Sequence, residues 1–481
     1  MTISLNQVRE YGFYLLVFIL PWQTRWIIRD PLISGGTWEY GRISLYAWDV
    51  LLVILLIISL LKIWPEIKNF KFLIFNFKSN FKSIFQIFKS PVLTYFLLLL
   101  FTLTSVLWAG DKALVFYWVG RLMEGGVIWL WLRALKPKLE YILLSLSLAG
   151  VVQAVWAIGQ FVTQSTFASK WLGVAIHPIT QYGTSVVLTD VGRWLRAYGG
   201  QVHPNVLGGL LVITCLATVW LYFNKNFKFQ NPNVKSNPKS EIIPKAQNPK
   251  LLNSYSYLLF YIIQLVGLFF TFSRGAWLAL FITLIFYLII PVGKYVQLDK
   301  NPYPENSGLN ERQSYFIKQS LVVLGYTFLV FITLGVVLWQ PTVGRILGGS
   351  RLEVKSVTER VTSVSDSGSV IAKHWLGGVG MGNYTYALQQ SVPSQPANYY
   401  QPVHNTFLLI MAELGIIGLG LILWLIKRVV FSSQFIIRNS LFLIPILITA
   451  LFDHYWWTIP SMFLLLWLIL GVFKKADWMV D

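Results

Sequence analysis

Long apolar runs separated by short polar breaks set the plan of this chain. The runs fall at about residues 11–28, 43–64, 92–109, 112–132, 139–162, 204–223, 251–272, 276–292, 319–339, 404–426, 439–452 and 458–472. Most hold ~18 residues or more, enough to cross ~30 Å of hydrocarbon as a helix. Continuous runs rather than short alternating segments exclude a β-barrel. The pattern predicts an all-α polytopic membrane protein of about 12 transmembrane helices, with residues 1–481 forming a single transmembrane domain. The first run lacks a small-residue cleavage site and reads as a span, not a removable leader.

Three polar stretches interrupt the pattern. Residues 62–91, with six lysines and one acid, predict a basic cytoplasmic loop. Residues 224–250 form a second basic cytoplasmic loop of low-complexity Asn, Lys, Pro and Ser. Residues 340–403 are the longest interruption and predict a large external loop between spans nine and ten. That loop ends in His404-Asn405, at the mouth of the next apolar run. A polar segment that delivers a histidine to a membrane helix is where chemistry is expected.

Composition agrees: 55% of residues are hydrophobic and 12% charged, about half the charge of a soluble domain. The single cysteine, Cys215, excludes an internal disulfide. The net charge of +19 does not point to nucleic acid, because its distribution follows membrane topology. Of the 39 Lys and Arg, 25 fall in segments read as cytoplasmic, which places both termini in the cytoplasm. The kind of base differs by side. The cytoplasmic set is mostly Lys, whereas the external loops carry Arg25, Arg29, Arg42, Arg193, Arg196, Arg274, Arg345, Arg351 and Arg360. Arginine presents a planar fork that fits phosphate oxygens, so an anionic ligand is expected on the external face, with headgroup anchoring as the competing account.

Four external constellations carry the candidate chemistry. Arg196-Ala-Tyr-Gly-Gly-Gln-Val-His203-Pro204-Asn205 leads into the sixth run, and a capped helix start accounts equally well for His203 and Asn205. Ser273-Arg274-Gly275 is the tip of a tight two-span hairpin, where snorkelling to headgroups competes with ligand binding. His404-Asn405 follows the long loop. Asp453-His454-Tyr455 forms the last external turn. Inside the apolar runs, Arg121 and Glu413 lie at similar depth and are expected to pair across helices, unless Glu124 satisfies Arg121 within its own helix. The glycine-rich Gly377–Gly382 stretch is not a dinucleotide loop, since no strand–helix unit surrounds it. The five histidines lack metal-ligand spacing, so no metal and no cofactor is expected.

Together these pieces resemble the O-antigen ligase/polymerase family of bacterial membrane glycosyltransferases. The resemblance rests on Arg196-Ala-x-Gly with His203-Pro204-Asn205, Ser273-Arg274-Gly275-Ala276, Glu359-Arg360, Gly378-Val-Gly380-Met-Gly382-Asn383, and His404-Asn405-x-x-Leu408 with Glu413-x-Gly415-x-x-Gly418. It covers about residues 193–471. It implies a GT-C-like helical bundle in the bacterial inner membrane. It also implies transfer of a glycan from undecaprenyl diphosphate to a glycan or lipid acceptor on the outer face, without nucleotide or metal. By the same resemblance Arg196 and Arg274 hold the diphosphate and His404 serves the acceptor. His203, Asn205, Ser273, Arg360, Asn405, Asp453 and His454 are the candidates for substrate binding around them. The alternative class is a polytopic transporter of an anionic substrate, which should place its ionisable groups near the midplane and leaves the loop at 340–403 without a role.

Overall fold

A computed structural model describes residues 4–67, 91–229, 252–298, 309–430 and 436–472. The two basic loops expected at 62–91 and 224–250 fall largely outside these residues. Five of the described helices are long and apolar enough to cross a membrane: α4 (Lys112–Leu135), α5 (Leu139–Thr163), α6 (Pro204–Phe229), α9 (Leu309–Val337) and α13 (Thr406–Val430). Shorter apolar helices accompany them: α3 (Pro91–Thr104), α7 (Ser254–Phe270), α8 (Arg274–Leu298), α14 (Ile436–Phe452) and α16 (Pro460–Val472), together with α1 (Leu5–Ile19) and α2 (Ala47–Ile67).

The bundle is organised on α6, which packs against α5 and α7 and is almost wholly buried. A helix that is apolar all round can fill such a position. Hydrocarbon offers little driving force between apolar helices, so polar contacts help to fix their registry. Here Ser147 on α5 meets Thr218 on α6 at 2.6 Å, and Gln264 on α7 donates to the same Thr218 at 2.9 Å. By contrast α9 is mostly exposed along its apolar length and presents that surface to lipid.

One end of the bundle carries the irregular structure. Three two-stranded antiparallel hairpins lie there: β1 (Arg25–Arg29) with β4 (Ile43–Tyr46), β2 (Leu32–Ile33) with β3 (Gly36–Thr37), and β5 (Val186–Thr189) with β6 (Gly192–Leu195). The first pair corrects the expected spans at 11–28 and 43–64, taking the end of one and the start of the other. Pro21 cannot continue a helix, and α1 stops at Ile19. Trp26-Ile27-Ile28 then pairs with β4 in register Trp26 to Leu45. These side chains suit a strand, and in sequence they look like the end of a span.

Residues 340–403 are mostly helical, not an irregular loop. They form α10 (Trp339–Leu347), α11 (Arg351–His374) and α12 (Tyr384–Ser391). Ser350 caps α11, accepting from the Glu353 amide at 3.4 Å. After α11 the chain turns through the glycine motif and enters a break in α13. Gly415 leaves helical geometry with φ of 63°. In the gap the Val379 and Gly380 amides donate to the Ala412 and Glu413 carbonyls at 2.9 and 2.8 Å, and the Ile416 amide donates to the Trp375 carbonyl at 2.8 Å. A Cβ at Gly378 would collide with the Glu413 backbone, and one at Gly415 with the Leu376 carbonyl. Both positions have positive φ and need glycine for approach as well as conformation. Asn383 closes the motif by exchanging hydrogen bonds with the backbone of Asp111, at 2.6 and 3.1 Å.

The buried charges do not pair as expected. Arg121 forks onto Asp49 of α2, with Nη2 to Oδ2 at 2.9 Å, and also meets Glu124 at 2.8 Å and the Ser44 carbonyl at 2.9 Å. The rings of Tyr46, Trp48 and Tyr117 surround the guanidinium. Glu413 instead accepts from the Trp457 indole at 2.7 Å. The Glu124 contact is the local alternative; Asp49, the stronger partner, is 72 positions away in sequence. Removing one member of a buried pair strands the other charge. Asp49→Asn is therefore expected to destabilise the protein by about 3–5 kcal/mol, and Asp49→Leu with Arg121→Met to recover most of that. Thermal inactivation in mild detergent measures both, and an Asp49→Asn variant as stable as the parent would overturn the pair's structural role.

Candidate functional site

A cavity of about 890 Å³ opens at the hairpin-bearing end, walled by residues from the β1–β4 and β5–β6 pairs, α10, α11 and the α14–α15 turn, where α15 is Tyr455–Thr458. Arg196, His203, His404, Asp453 and His454 line it. The turn that carries Arg196 is fixed from below by α5. The Gln160 side chain accepts from the Tyr198 and Gly199 amides at 3.0 and 2.8 Å, and Gln153 accepts from Gly200 at 2.7 Å. These glutamines lie seven residues apart, on one face of the helix. The Ala197 amide donates to the Phe270 carbonyl at 2.8 Å, which ties the turn to the end of α7.

Arg196 is 6% exposed, yet both of its hydrogen-bond partners are neutral. Nε donates to the Thr271 carbonyl at 2.9 Å and Nη2 to the Asn205 side chain at 2.6 Å. Burial, then the charge of Arg345, press its pKa well below the ordinary guanidinium value. Asn205 passes the contact on, donating to Asp453 Oδ2 at 2.8 Å. Asp453 Oδ1 faces two imidazoles, His404 Nδ1 at 3.6 Å and His454 Nε2 at 3.8 Å. The distance to His404 is a charge contact, too long for a hydrogen bond, and His404 Nδ1 has no hydrogen-bond partner. The two rings stand 5.3 Å apart. Burial alone would raise the Asp453 pKa. The three imidazoles around it, His404 first, outweigh burial and hold the carboxyl below its usual range.

Arg274 does not line the cavity. It stands behind the wall, donating to the Arg345 carbonyl at 3.1 Å and to Glu353 at 3.0 Å. Glu353 is buried and also binds Arg345, whose Nε donates to the Phe272 carbonyl at 2.8 Å. Arg345 and Glu353 both face the cavity. The sequence reading left their roles unassigned, although Arg345 already stood among the external arginines. Ser273, Arg360 and Asn405 lie off the cavity wall. The Ser273 carbonyl accepts from Trp277 at 3.0 Å inside the start of α8. Asn405 caps α13 through the Leu408 amide at 3.0 Å and donates to the Leu451 carbonyl at 3.2 Å.

His404, Asp453 and His454 offer donor atoms within 4.8 Å of one another, a donor set that suits zinc. His454 Nδ1 is engaged with Thr458 at 2.7 Å, which leaves Nε2 facing the cluster. Asp453 is coupled through Asn205 to the positive charge of Arg196, which opposes a further cation.

His203 accepts from the Asn205 amide at Nδ1 (3.1 Å), so Nε2–H is free to donate to Ser185 Oγ, also at 3.1 Å. That is a neutral imidazole. Burial, then the charge of Arg196, push its pKa down to about 3, and burial takes His454 down to about 4. In an unfolded chain each titrates near ~6.5. Between those values the unfolded state binds more protons, so folding stability is lost as pH falls below ~6.5. Melting temperature in detergent is expected to drop between about pH 7.5 and 5, and His203→Gln to flatten that dependence. A His203→Gln variant that keeps the parent's pH dependence would rule out a contribution from this neutral buried imidazole.

Residues 259–423 match the family model described as O-Antigen ligase. The match runs from α7 into α13 and includes Arg274, Arg345, Glu353, the glycine motif and His404, while Arg196, His203, Asp453 and His454 lie outside it. No curated protein matches the chain. The chain thus carries a segment, residues 259–423, that is similar to the O-Antigen ligase family, within a protein whose helices are long and apolar enough to cross a membrane.

Proposed function

We propose that the protein transfers a glycan from undecaprenyl diphosphate to a glycan or lipid acceptor on the outer face of the bacterial inner membrane. The observation that carries the reading is Arg196, a buried guanidinium with neutral partners beside a second one, Arg345. Around it three guanidiniums, those of Arg196, Arg274 and Arg345, are matched by a single ion-paired carboxylate, Glu353. Unneutralised buried charge is costly, and a diphosphate supplies the missing anion. About twelve spans with both termini in the cytoplasm put this end of the bundle outside, where a carrier lipid would present its headgroup.

In this reading the acceptor hydroxyl attacks the anomeric carbon as the bond from that carbon to the diphosphate oxygen breaks. The hydroxyl proton passes to His404 and the electron pair leaves with the diphosphate. With Nδ1 turned to Asp453, the tautomer protonated at Nδ1 leaves Nε2 as the base. Asp453 steadies the imidazolium that forms. Arg196 meets the charge growing on the leaving group, in a site that water cannot easily reorganise. Arg345 stands beside it, held in place by Glu353, which Arg274 grips from behind. No step calls for a metal.

The test is transfer from a purified lipid-linked glycan in detergent. Arg196→Lys keeps the charge but loses the fork, and is expected to cost about 10²-fold or more in rate. His404→Ala should cost about 10²-fold or more with donor binding largely kept. Arg274→Lys should fall between these and the parent, and EDTA should leave the rate unchanged. Near-parent rates for Arg196→Lys and His404→Ala together would sink the assignment. Topology is checked separately. Ser367, in the middle of α11, is buried, but Ser365 is exposed. A cysteine at Ser365 is expected to react with an impermeant reagent in intact spheroplasts, and reaction only after permeabilisation would reverse the orientation.

A further inference from the structure

We propose that the mouth of the cavity is a second anion site, taking an acidic sugar of the transferred or accepting glycan between Arg193 and Arg351. This rests on the glycan-transfer reading of the cavity and adds a substrate class to it. Arg193 is on β6, opposite Leu188 of β5. The β5 strand packs on α10 and α11, and a Cβ on Gly344 of α10 would lie 3.6 Å from the Leu188 carbonyl. The chain then turns through Gly348 in the left-handed region and starts α11 at Arg351. The two arginines thus come from walls in contact, and both line the cavity.

Both are exposed, and among the described residues neither makes an ion pair or a hydrogen bond. Other arginines of the lining are engaged: Arg42 with Asp30 at 2.6 Å, and Arg345 with Glu353. Arg351 also sits in the first turn of a 24-residue helix, where the backbone dipole disfavours a cation and favours an anion. The acid of that turn, Glu353, is already held by Arg274 and Arg345. The turn is left with uncompensated positive charge facing the cavity. Tyr182, 86% exposed on the same lining, offers an aromatic face to a sugar ring. Two free guanidinium forks and an aromatic face suit a sugar bearing a carboxylate or phosphate. Arg196, deeply buried, remains for the diphosphate.

Binding to the full-length protein in zwitterionic nanodiscs tests this with two probes, a tetrasaccharide of alternating glucuronate and N-acetylglucosamine and the neutral N-acetylglucosamine tetramer. The acidic probe is expected to bind about tenfold more tightly at low salt, with the preference gone by about 0.5 M salt. Arg193→Gln with Arg351→Gln should erase the preference, Tyr182→Ala should weaken both probes alike, and Arg196→Gln should leave the preference intact. Equal binding of the probes by the parent, or a preference that survives the double variant, overturns the proposal. So does a double variant that changes only binding to discs containing phosphatidylglycerol, which would make the pair a headgroup anchor. Undecaprenyl diphosphate binding, lost in Arg196→Gln, reports on the donor reading independently. If it persists while the acidic preference is absent, only the mouth site falls.

Discussion

A guanidinium buried at the end of a helical bundle, with only neutral hydrogen bonds, is the constraint around which this end of the protein is arranged. Arg196 cannot escape to water: Gln153 and Gln160 pin the turn behind it to α5, and the Phe270 carbonyl pins its neighbour to α7. Its partners are an amide oxygen and a backbone carbonyl, which satisfy the donors and leave the charge. Asn205 then links that charge to Asp453, so the anionic and cationic halves of the site are set by one side chain. Moving the turn would disturb both halves at once. A two-residue shift in α5 would have the same effect, because both glutamines sit on one helical face.

The other wall is brought in by a different device. A helix of largely polar residues cannot be held by apolar packing alone, and α11 is anchored at its two ends. At its start Glu353 is buried between Arg274 and Arg345. Past its end the glycine motif threads into the break in α13 and borrows the backbone hydrogen bonds that the break left open. The same break, at Gly415, sits eleven residues beyond His404 at the head of α13, so the segment that carries His404 is locked to the end of α11. Gly378 of this motif is thereby explained by close backbone approach, whereas Gly380 and Gly382 are crowded by the side chains of Ala109 and Trp118.

How much of this could be read from the sequence depends on the distance over which each interaction acts. The apolar runs announced the bundle, and the residues at their ends announced the site. His203-Pro204-Asn205, His404-Asn405 and Asp453-His454 are local signals, and the cavity brings their histidines together. Pairings between distant segments left no local trace. Asp49 looks like an acid at the head of a span until Arg121 is placed against it, and Glu353 looks like one more charge on a polar helix. The strand Arg25–Arg29 was hidden because Trp26, Ile27 and Ile28 suit a membrane span and a hairpin equally. Helix α11 was hidden because its polar residues give little apolar periodicity, although Ser350 and Glu353 mark its start.

The arginines of this chain separate into classes by partner, and burial alone does not distinguish them. Arg121 and Arg196 are both nearly inaccessible. The first has two carboxylates and three aromatic rings around it, so its charge is spent inside the protein and adds nothing to any ligand. The second has no carboxylate in hydrogen-bond contact and reaches one, Asp453, only through Asn205. Arg345 and Arg274 are intermediate, sharing one carboxylate between them, and of the two only Arg345 faces the cavity. That gradation runs from the bundle interior to the cavity wall and gives a physical criterion for reading other arginine-rich membrane sites. A structural arginine brings its counterion from the same chain, whereas one left for a ligand lacks a carboxylate partner, whether buried like Arg196 or exposed like Arg193 and Arg351. By this criterion Asp49, Glu124 and Glu353 are placed where they organise arginines, and the positive charge left over is concentrated on the cavity wall.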